Sequence, residues 1–392
     1  MKIITRTIWI LSFVSLFTDM ASEMLYPVMP LFLKHIGFTA IFIGVLEGVA
    51  EAVAGLTKGY FGRRSDISGK RLPFVQLGYG LSALSKPMLG LMFYPWWIFF
   101  SRTTDRLGKG IRTGARDALL SDECTPATRG RVFGFHKSLD TFGAVLGPAI
   151  ALLYLYFYPD DYRTLFFIAF APGLLAITCT LIIKEKPKTP LINAPAPGLF
   201  AFTAYWKQSP PAFKKLATGL LVFALFNSSD VFLLLRMKES GLSDTAVISV
   251  YIFYNLIFSI FAYPLGIVAD KIGLKTVLLT GICIFALVYS GFALTTNIYM
   301  YLFLFAMYGV YAAATEGISK AWISNLVDKS ETGSAIGTFS GFQSLAALGA
   351  STFCGVLWYS FGATFTFLLT ALAALIVVGY LAKQPYLQKK VI

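Results

Sequence analysis

Nine basic and nine acidic side chains stand inside otherwise apolar stretches of this sequence. The basic ones are Lys58, Lys86, Arg102, Arg106, Lys109, Arg112, Arg116, Lys137 and Lys320, and the acidic ones are Asp19, Glu23, Glu47, Glu51, Asp105, Asp117, Asp140, Asp230 and Glu316. Side chains three, four or seven apart share a helix face. Asp19, Ser22, Glu23 and Tyr26 therefore come together on one helix, and Glu47 and Glu51 on a second. Asp105, Lys109, Arg112 and Arg116 form a stripe on a third, with Arg102 and Arg106 beside it. Two acidic faces and one mainly basic face fit helices that line a polar cavity. The alternative is a set of structural ion pairs, because a charge in hydrocarbon costs several kcal/mol unless it is paired or wetted.

Carboxylates shielded from bulk water can bind and release protons near neutral pH. Asp19 and Glu51 lie near the middle of their apolar segments and are the first candidates for proton carriers; Glu47 and Glu23, nearer one end, could relay protons. Arg106 and Arg112 keep their charge and offer forked donors, for an anionic solute or for the acids in turn. Asn227 and Asp230 are polar candidates in the second half. Tyr251, Tyr254, Tyr308 and Tyr311 either line a cavity or pack at helical spacing. His136 and Asp140 stand four residues apart, as a pH sensor or as an ordinary interfacial pair. Glu316 has Lys320 at i+4, either as a local pair or in the cavity.

The elements that must hold these groups follow from composition. Of 392 residues, 56% are hydrophobic and 14% charged, against about 25% charged in a soluble domain. Mean hydropathy is +0.69. So little polar surface excludes a cytosolic enzyme, a disulfide scaffold and a disordered chain. The four cysteines, Cys124, Cys179, Cys283 and Cys354, are scattered and form no C-x-x-C pair. A bilayer core needs about 20 apolar residues per helix. Twelve segments qualify: 7–33, 41–61, 73–93, 97–121, 131–157 and 163–183, then 215–237, 246–267, 274–295, 298–323, 334–358 and 362–382. The first carries Asp19 and Glu23 and lacks a small-x-small cleavage site, so it reads as a retained helix.

Charge orients these spans. One side collects twenty basic against seven acidic side chains, the whole net charge of +13, while the other sums to zero. By the positive-inside rule the basic side, with both termini, is cytoplasmic. Topology thus accounts for the charge, and no aromatic-interleaved basic stripe points to nucleic acid.

The sequence also repeats. Gly62, Asp66 and Gly69 recur as Gly266, Asp270 and Gly273 at an offset of 204. Gly114, Gly130 and Gly134 recur as Gly317, Gly333 and Gly337 at an offset of 203. The chain divides accordingly into a six-helix bundle over 1–183, a basic, proline-dotted cytoplasmic linker over 184–214, and a second bundle over 215–392.

The run Gly62-x-x-x-Asp66-x-x-Gly69-Lys70-Arg71, its weaker copy after span eight and the 6+6 arrangement resemble the major facilitator superfamily across essentially the whole chain. The resemblance implies an all-α membrane protein of twelve transmembrane helices in two pseudo-symmetric bundles. It implies a secondary transporter, not an enzyme, with the solute held near mid-membrane. Asp66 would latch the cytoplasmic ends, with Gly62, Gly69, Lys70, Arg71, Gly266, Asp270 and Gly273 as gating residues; Ile67 stands where the family loop is usually basic. Arg106-x-x-x-Gly110 resembles a proton-coupled pattern. Gly143-x-x-x-Gly147-Pro148 resembles the start of an antiporter signature whose downstream glycines are missing.

The expected function is a proton-coupled transporter of a small organic solute, with export slightly favoured over uptake of an anionic metabolite or metal chelate. The expected solute contacts are Asp19, Glu23, Tyr26, Arg102, Asp105, Arg106, Lys109, Arg112, Asn227 and Asp230; the expected proton sites are Asp19, Glu47 and Glu51. No cofactor or metal is expected, and no P-loop is present. The expected partners are solute, protons and lipid, for a functional monomer in a bacterial inner membrane. The rival of another class, an intramembrane transferase, would need an Asp-rich metal motif or a His-centred acyl site. Asp160-Asp161 is an isolated pair and His136-x-x-x-Asp140 has the wrong spacing.

Overall fold

The computed structural model describes residues 3–38, 40–185, 198, 201–228 and 230–384. The Glu47 side chain and, within the linker, residues 186–197 with Pro187, Pro190, Pro195 and Pro197 fall outside the described residues.

Every element among the described residues is helical. The first half holds α1 (Arg6–Leu25), α2 (Met29–His35), α3 (Ala40–Ser68), α4 (Leu72–Leu91), α5 (Pro95–Asp122), α6 (Arg129–Phe157) and α7 (Tyr162–Leu181). Then come α8 (Ala201–Gln208), α9 (Pro211–Phe226), α10 (Val231–Glu239), α11 (Asp244–Ile272), α12 (Leu274–Leu294), α13 (Ile298–Leu326) and α14 (Thr332–Lys383). Span one is α1 plus α2, broken beside Pro27 and Pro30, since proline removes a helical donor. Span seven is α9 plus α10, broken at Asn227–Asp230. The 52 residues of α14 are spans eleven and twelve, divided at Gly362, whose φ is 81°. These segments account for all twelve spans. Within the basic, proline-dotted linker forms α8, placing Trp206 against Phe342 and the Tyr205 hydroxyl 3.5 Å from Glu331.

The chain forms two compact units. Unit 1 contains 1–125, 139–208 and 328–344; unit 2 contains 126–138, 209–327 and 345–392. Each unit therefore includes the start of one helix from the other repeat.

Unit 1 packs an apolar core around Phe32, Met24, Leu89, Leu165 and Phe166, with Phe32 edge-on to Phe166 at 4.9 Å. Gly143 and Gly147 bring α6 onto the α1 backbone: a Cβ at Gly147 would stand 2.6 Å from the Met24 nitrogen. This is the close approach that small residues four apart permit. At its outer end, α7 is capped by Asp161. Tyr154 and Thr164 donate to that carboxylate and hold it below its ordinary pKa.

Unit 2 is aromatic. Phe285 stacks on Tyr289 at 4.2 Å and reaches Tyr311 at 4.9 Å, and Tyr254 meets Tyr308 at 5.1 Å.

Candidate functional site

The densest buried polar cluster of unit 1 joins α1, α4 and α5. Lys86, 2% exposed, donates to Asp105 Oδ1 at 2.9 Å and to Ser22 Oγ at 3.1 Å. Arg102 lies one helical turn from Asp105, at 3.9 Å. One helix supplies the acid and another the lysine, and their close contact with the added Ser22 hydrogen bond offsets the cost of burying both charges.

Arg112 is 5% exposed and stands over the Tyr79 ring, 4.6 Å from its centroid. Its Nη1 donates to Ser82 Oγ at 2.6 Å, and Ser82 in turn donates to the Asp105 carbonyl at 3.2 Å. A turn further along α5, Arg116 binds Asp117 at 2.8 Å and donates to Ser15 Oγ at 3.3 Å. Ser15 donates to Asp140. The expected stripe on α5 is thus partitioned. Asp105 and Arg112 are buried and joined through Ser82, Arg116 is buried apart from them with Asp117, and Lys109 is exposed.

A more open pair stands beside them. Arg106 Nε lies 3.8 Å from Glu51 Oε2, with side chains 16% and 36% exposed. Lys58 and Lys109 add their fields at Glu51, and Lys58 donates to Ser344 Oγ at 2.7 Å. On α1, Asp19 and Glu23 are partly exposed and Tyr26 is exposed just beyond the helix end.

In unit 2, the Tyr308 hydroxyl donates to Asp230 at 2.7 Å and the Asn227 amide donates to the Tyr311 hydroxyl at 2.9 Å. Tyr254, Tyr308 and Tyr311 are buried, so these tyrosines pack and also order the span-seven break. Glu316 takes Lys137 as an ion-pair partner at 2.9 Å. Lys137 also stands 5.3 Å from the Phe258 ring centroid. The pairing thus reaches another helix, whereas spacing names Lys320.

The repeated aspartates Asp66 and Asp270 lie near the C-terminal ends of α3 and α11. Asp66 accepts the Gly333 N–H at 3.3 Å, the Ser334 N–H at 2.6 Å and the Ser334 hydroxyl at 2.7 Å. Asp270 accepts the Gly130 N–H at 2.8 Å and both the N–H and Nε of Arg131 at 3.0 Å. Each carboxylate thus caps the first turn of a helix from the other repeat, where unpaired N–H groups and the helix dipole favour an anion. Gly62 abuts Gly333 and Gly266 abuts Gly130, leaving no room for a Cβ. Gly69 and Gly273, with φ of 65° and 105°, make turns that an L side chain would strain. Lys70 is exposed.

Ile67 leaves the charge work to Arg71. Arg71 pairs with Asp66 at 3.2 Å and Asp122 at 3.0 Å and donates to the Lys329 carbonyl at 2.8 Å. Glu185 accepts the Arg71 and Leu72 N–H groups at 2.7 and 2.8 Å, capping α4. Sequence reasoning did not select Lys86, Tyr79, Ser82 or Glu185 for any role. A lysine alone in an apolar run was the one visible signal.

The sequence profile of the Major Facilitator Superfamily matches residues 11–253 and 216–391. An uncharacterized MFS-type transporter of Methanocaldococcus jannaschii is 33% identical over 363 residues, covering 91% of this chain and 89% of the relative. The human organic anion transporter MFSD10 has a similar structure, with a TM-score of 0.79 and 15% identity over 96% of this chain and 99% of that one. The proton:xylose symporter XylE gives a TM-score of 0.75 and 16% identity over 96% and 94%. At those identities the two structures speak for the fold.

Proposed function

The chain belongs to the major facilitator superfamily and is a multi-pass membrane transporter; we propose that it moves a small organic solute by alternating access, driven by protons. The observation that carries this reading is the Glu51–Arg106 pair. At 3.8 Å and partly exposed, it is loose where Lys86–Asp105 is tight and closed. A proton on Glu51 would cancel its charge and free Arg106. Deprotonation would restore the attraction, giving one switch per proton. Asp19, partly exposed on α1, is the second carrier. XylE is a proton-coupled neighbour in fold.

Alternating access needs contacts that open and close. Asp66 and Asp270, each capping a helix of the other repeat, are the proposed gates. Their release would free both helix starts together. The bundles 1–183 and 215–392 are the proposed moving parts. Both termini are assigned to the cytoplasm of a bacterial inner membrane, and the monomer is the proposed working unit.

Export by antiport is the favoured direction, because Gly143-x-x-x-Gly147-Pro148 resembles the start of the antiporter signature, and Gly143 and Gly147 pack α6 on α1. Anion uptake is the second reading, favoured by the buried Arg112. Flux into proteoliposomes under an imposed pH step tests the coupling. A pH-driven signal that reverses with the gradient is expected, and a signal that follows sodium instead would reject the proton.

A further inference from the structure

Arg112 poses a problem that the rest of unit 1 does not solve. It is 5% exposed, and among the described residues no carboxylate reaches it within ion-pair distance. Its partners are the Ser82 hydroxyl and the Tyr79 ring, and its Nε has no hydrogen-bond acceptor. A buried, unpaired guanidinium costs several kcal/mol. The negative face of an aromatic ring offsets only part of that.

Ser82 supplies the link to a neighbour. The same hydroxyl that accepts from Arg112 donates to the Asp105 carbonyl, and the Asp105 carboxylate occupies Lys86. Two cations, a serine and one carboxylate thus form a continuous buried cluster between α4 and α5. The carboxylate shows what the lysine accepts. A guanidinium with a vacant donor, a short step along the same cluster, matches a second oxygen of the same kind.

We propose that the solute is an organic carboxylate, bound by Lys86 and Arg112, and that Asp105 is its built-in stand-in on Lys86. The solute's carboxylate takes the Arg112 donors and displaces Asp105, while Arg102, 3.9 Å from Asp105, holds the displaced side chain nearby. This deepens the transporter reading and rests on it, but not on proton coupling. Benzoate, which has an uncharged amide counterpart of nearly the same shape, is the simplest probe.

The test uses the full chain, purified in detergent without any gradient, and compares benzoate with benzamide by thermal melting. Benzoate is expected to raise the melting temperature and benzamide to leave it unchanged. Arg112→Gln is expected to weaken the benzoate response about tenfold in concentration, the scale of one charged hydrogen bond. Asp105→Asn is expected to strengthen it several-fold, because Lys86 loses its internal competitor. The charge-balanced double variant Lys86→Gln/Asp105→Asn removes the pair without leaving a lone charge. It should fold and lose the response, whereas a pair with only a structural role would leave the benzoate response at the parent level. The proposal is overturned by a parent blind to benzoate, by an equal benzamide effect, or by a double variant that responds like the parent. If the benzoate results hold while pH-driven flux is absent, proton coupling alone fails.

Discussion

Asp66 grips Ser334 twice, accepting its backbone N–H at 2.6 Å and its hydroxyl at 2.7 Å, with its own side chain fully buried. The two residues stand 268 positions apart, and the geometry is that of an N-cap supplied by the last turn of a distant helix, α3. Asp66→Asn keeps the shape but loses the charge on the helix dipole and the Arg71 ion pair. The expected loss is about 1.5–3 kcal/mol, the range for a hydrogen bond to a charged group. Spin labels at Lys70 and Ser330 should report a longer and broader distance distribution in the variant. An unchanged distribution with intact transport would mean that the cap is dispensable.

Gly147 offers a test of packing. A Cβ there would meet the Met20 carbonyl, the Met24 nitrogen and the Glu23 carbonyl carbon, all backbone atoms that cannot turn aside. Gly147→Leu should therefore lower the melting temperature, by the equivalent of about 1–3 kcal/mol or more. Gly80, where a Cβ would meet nothing within 4 Å, is the matched control. Gly80→Ala should melt like the parent.

How much of this was legible in the sequence differs by level. The spans were, because hydropathy registers what a bilayer demands of each segment. So was the recurrence of Gly130 and Gly134 as Gly333 and Gly337, but its meaning was not. Periodicity cannot reveal that these glycines start the two helices that Asp270 and Asp66 cap. Lys86 escaped notice as a site residue because no acid stands three or four positions from it; its partner Asp105 is on the next helix. Glu316 shows the converse limit. Spacing offered Lys320, and the fold brought Lys137 from another helix to 2.9 Å. Helix α8 was hidden by the prolines and charges around it. Local patterns predict local pairs, and this site is built mostly from pairs between helices.

The charge asymmetry predicts topology directly. Reporter fusions after Lys2, within the linker at Pro195 and after Lys390 should all report cytoplasmic placement. A fusion at Asp160, in the turn between α6 and α7, should report the opposite side. The prediction rests on twenty basic against seven acidic groups on one face. An external reading at Pro195 would overturn both the orientation and the assignment of Asp66 to a cytoplasmic gate.

The coupling prediction turns on the difference between two carboxylates. Asp105 meets Lys86 at 2.9 Å in a buried setting, where protonating it would leave the lysine charge without its partner. Glu51 meets Arg106 at 3.8 Å with more than a third of its side chain exposed, and Asp19 is likewise partly exposed. A carrier must be charged and paired in one state and protonated in another, which the open pair permits and the closed pair resists. Glu51→Gln and Asp19→Asn mimic the protonated acids. Both should abolish flux driven by a pH step in proteoliposomes, while solute binding persists and exchange without a gradient continues. Arg106→Gln removes the group that senses the Glu51 charge and should likewise uncouple flux from pH. If both acid variants follow the pH step like the parent, the proton is carried elsewhere, with Glu47 and Asp230 the next positions to substitute. If the parent ignores pH and follows sodium, the driving ion changes while alternating access stands.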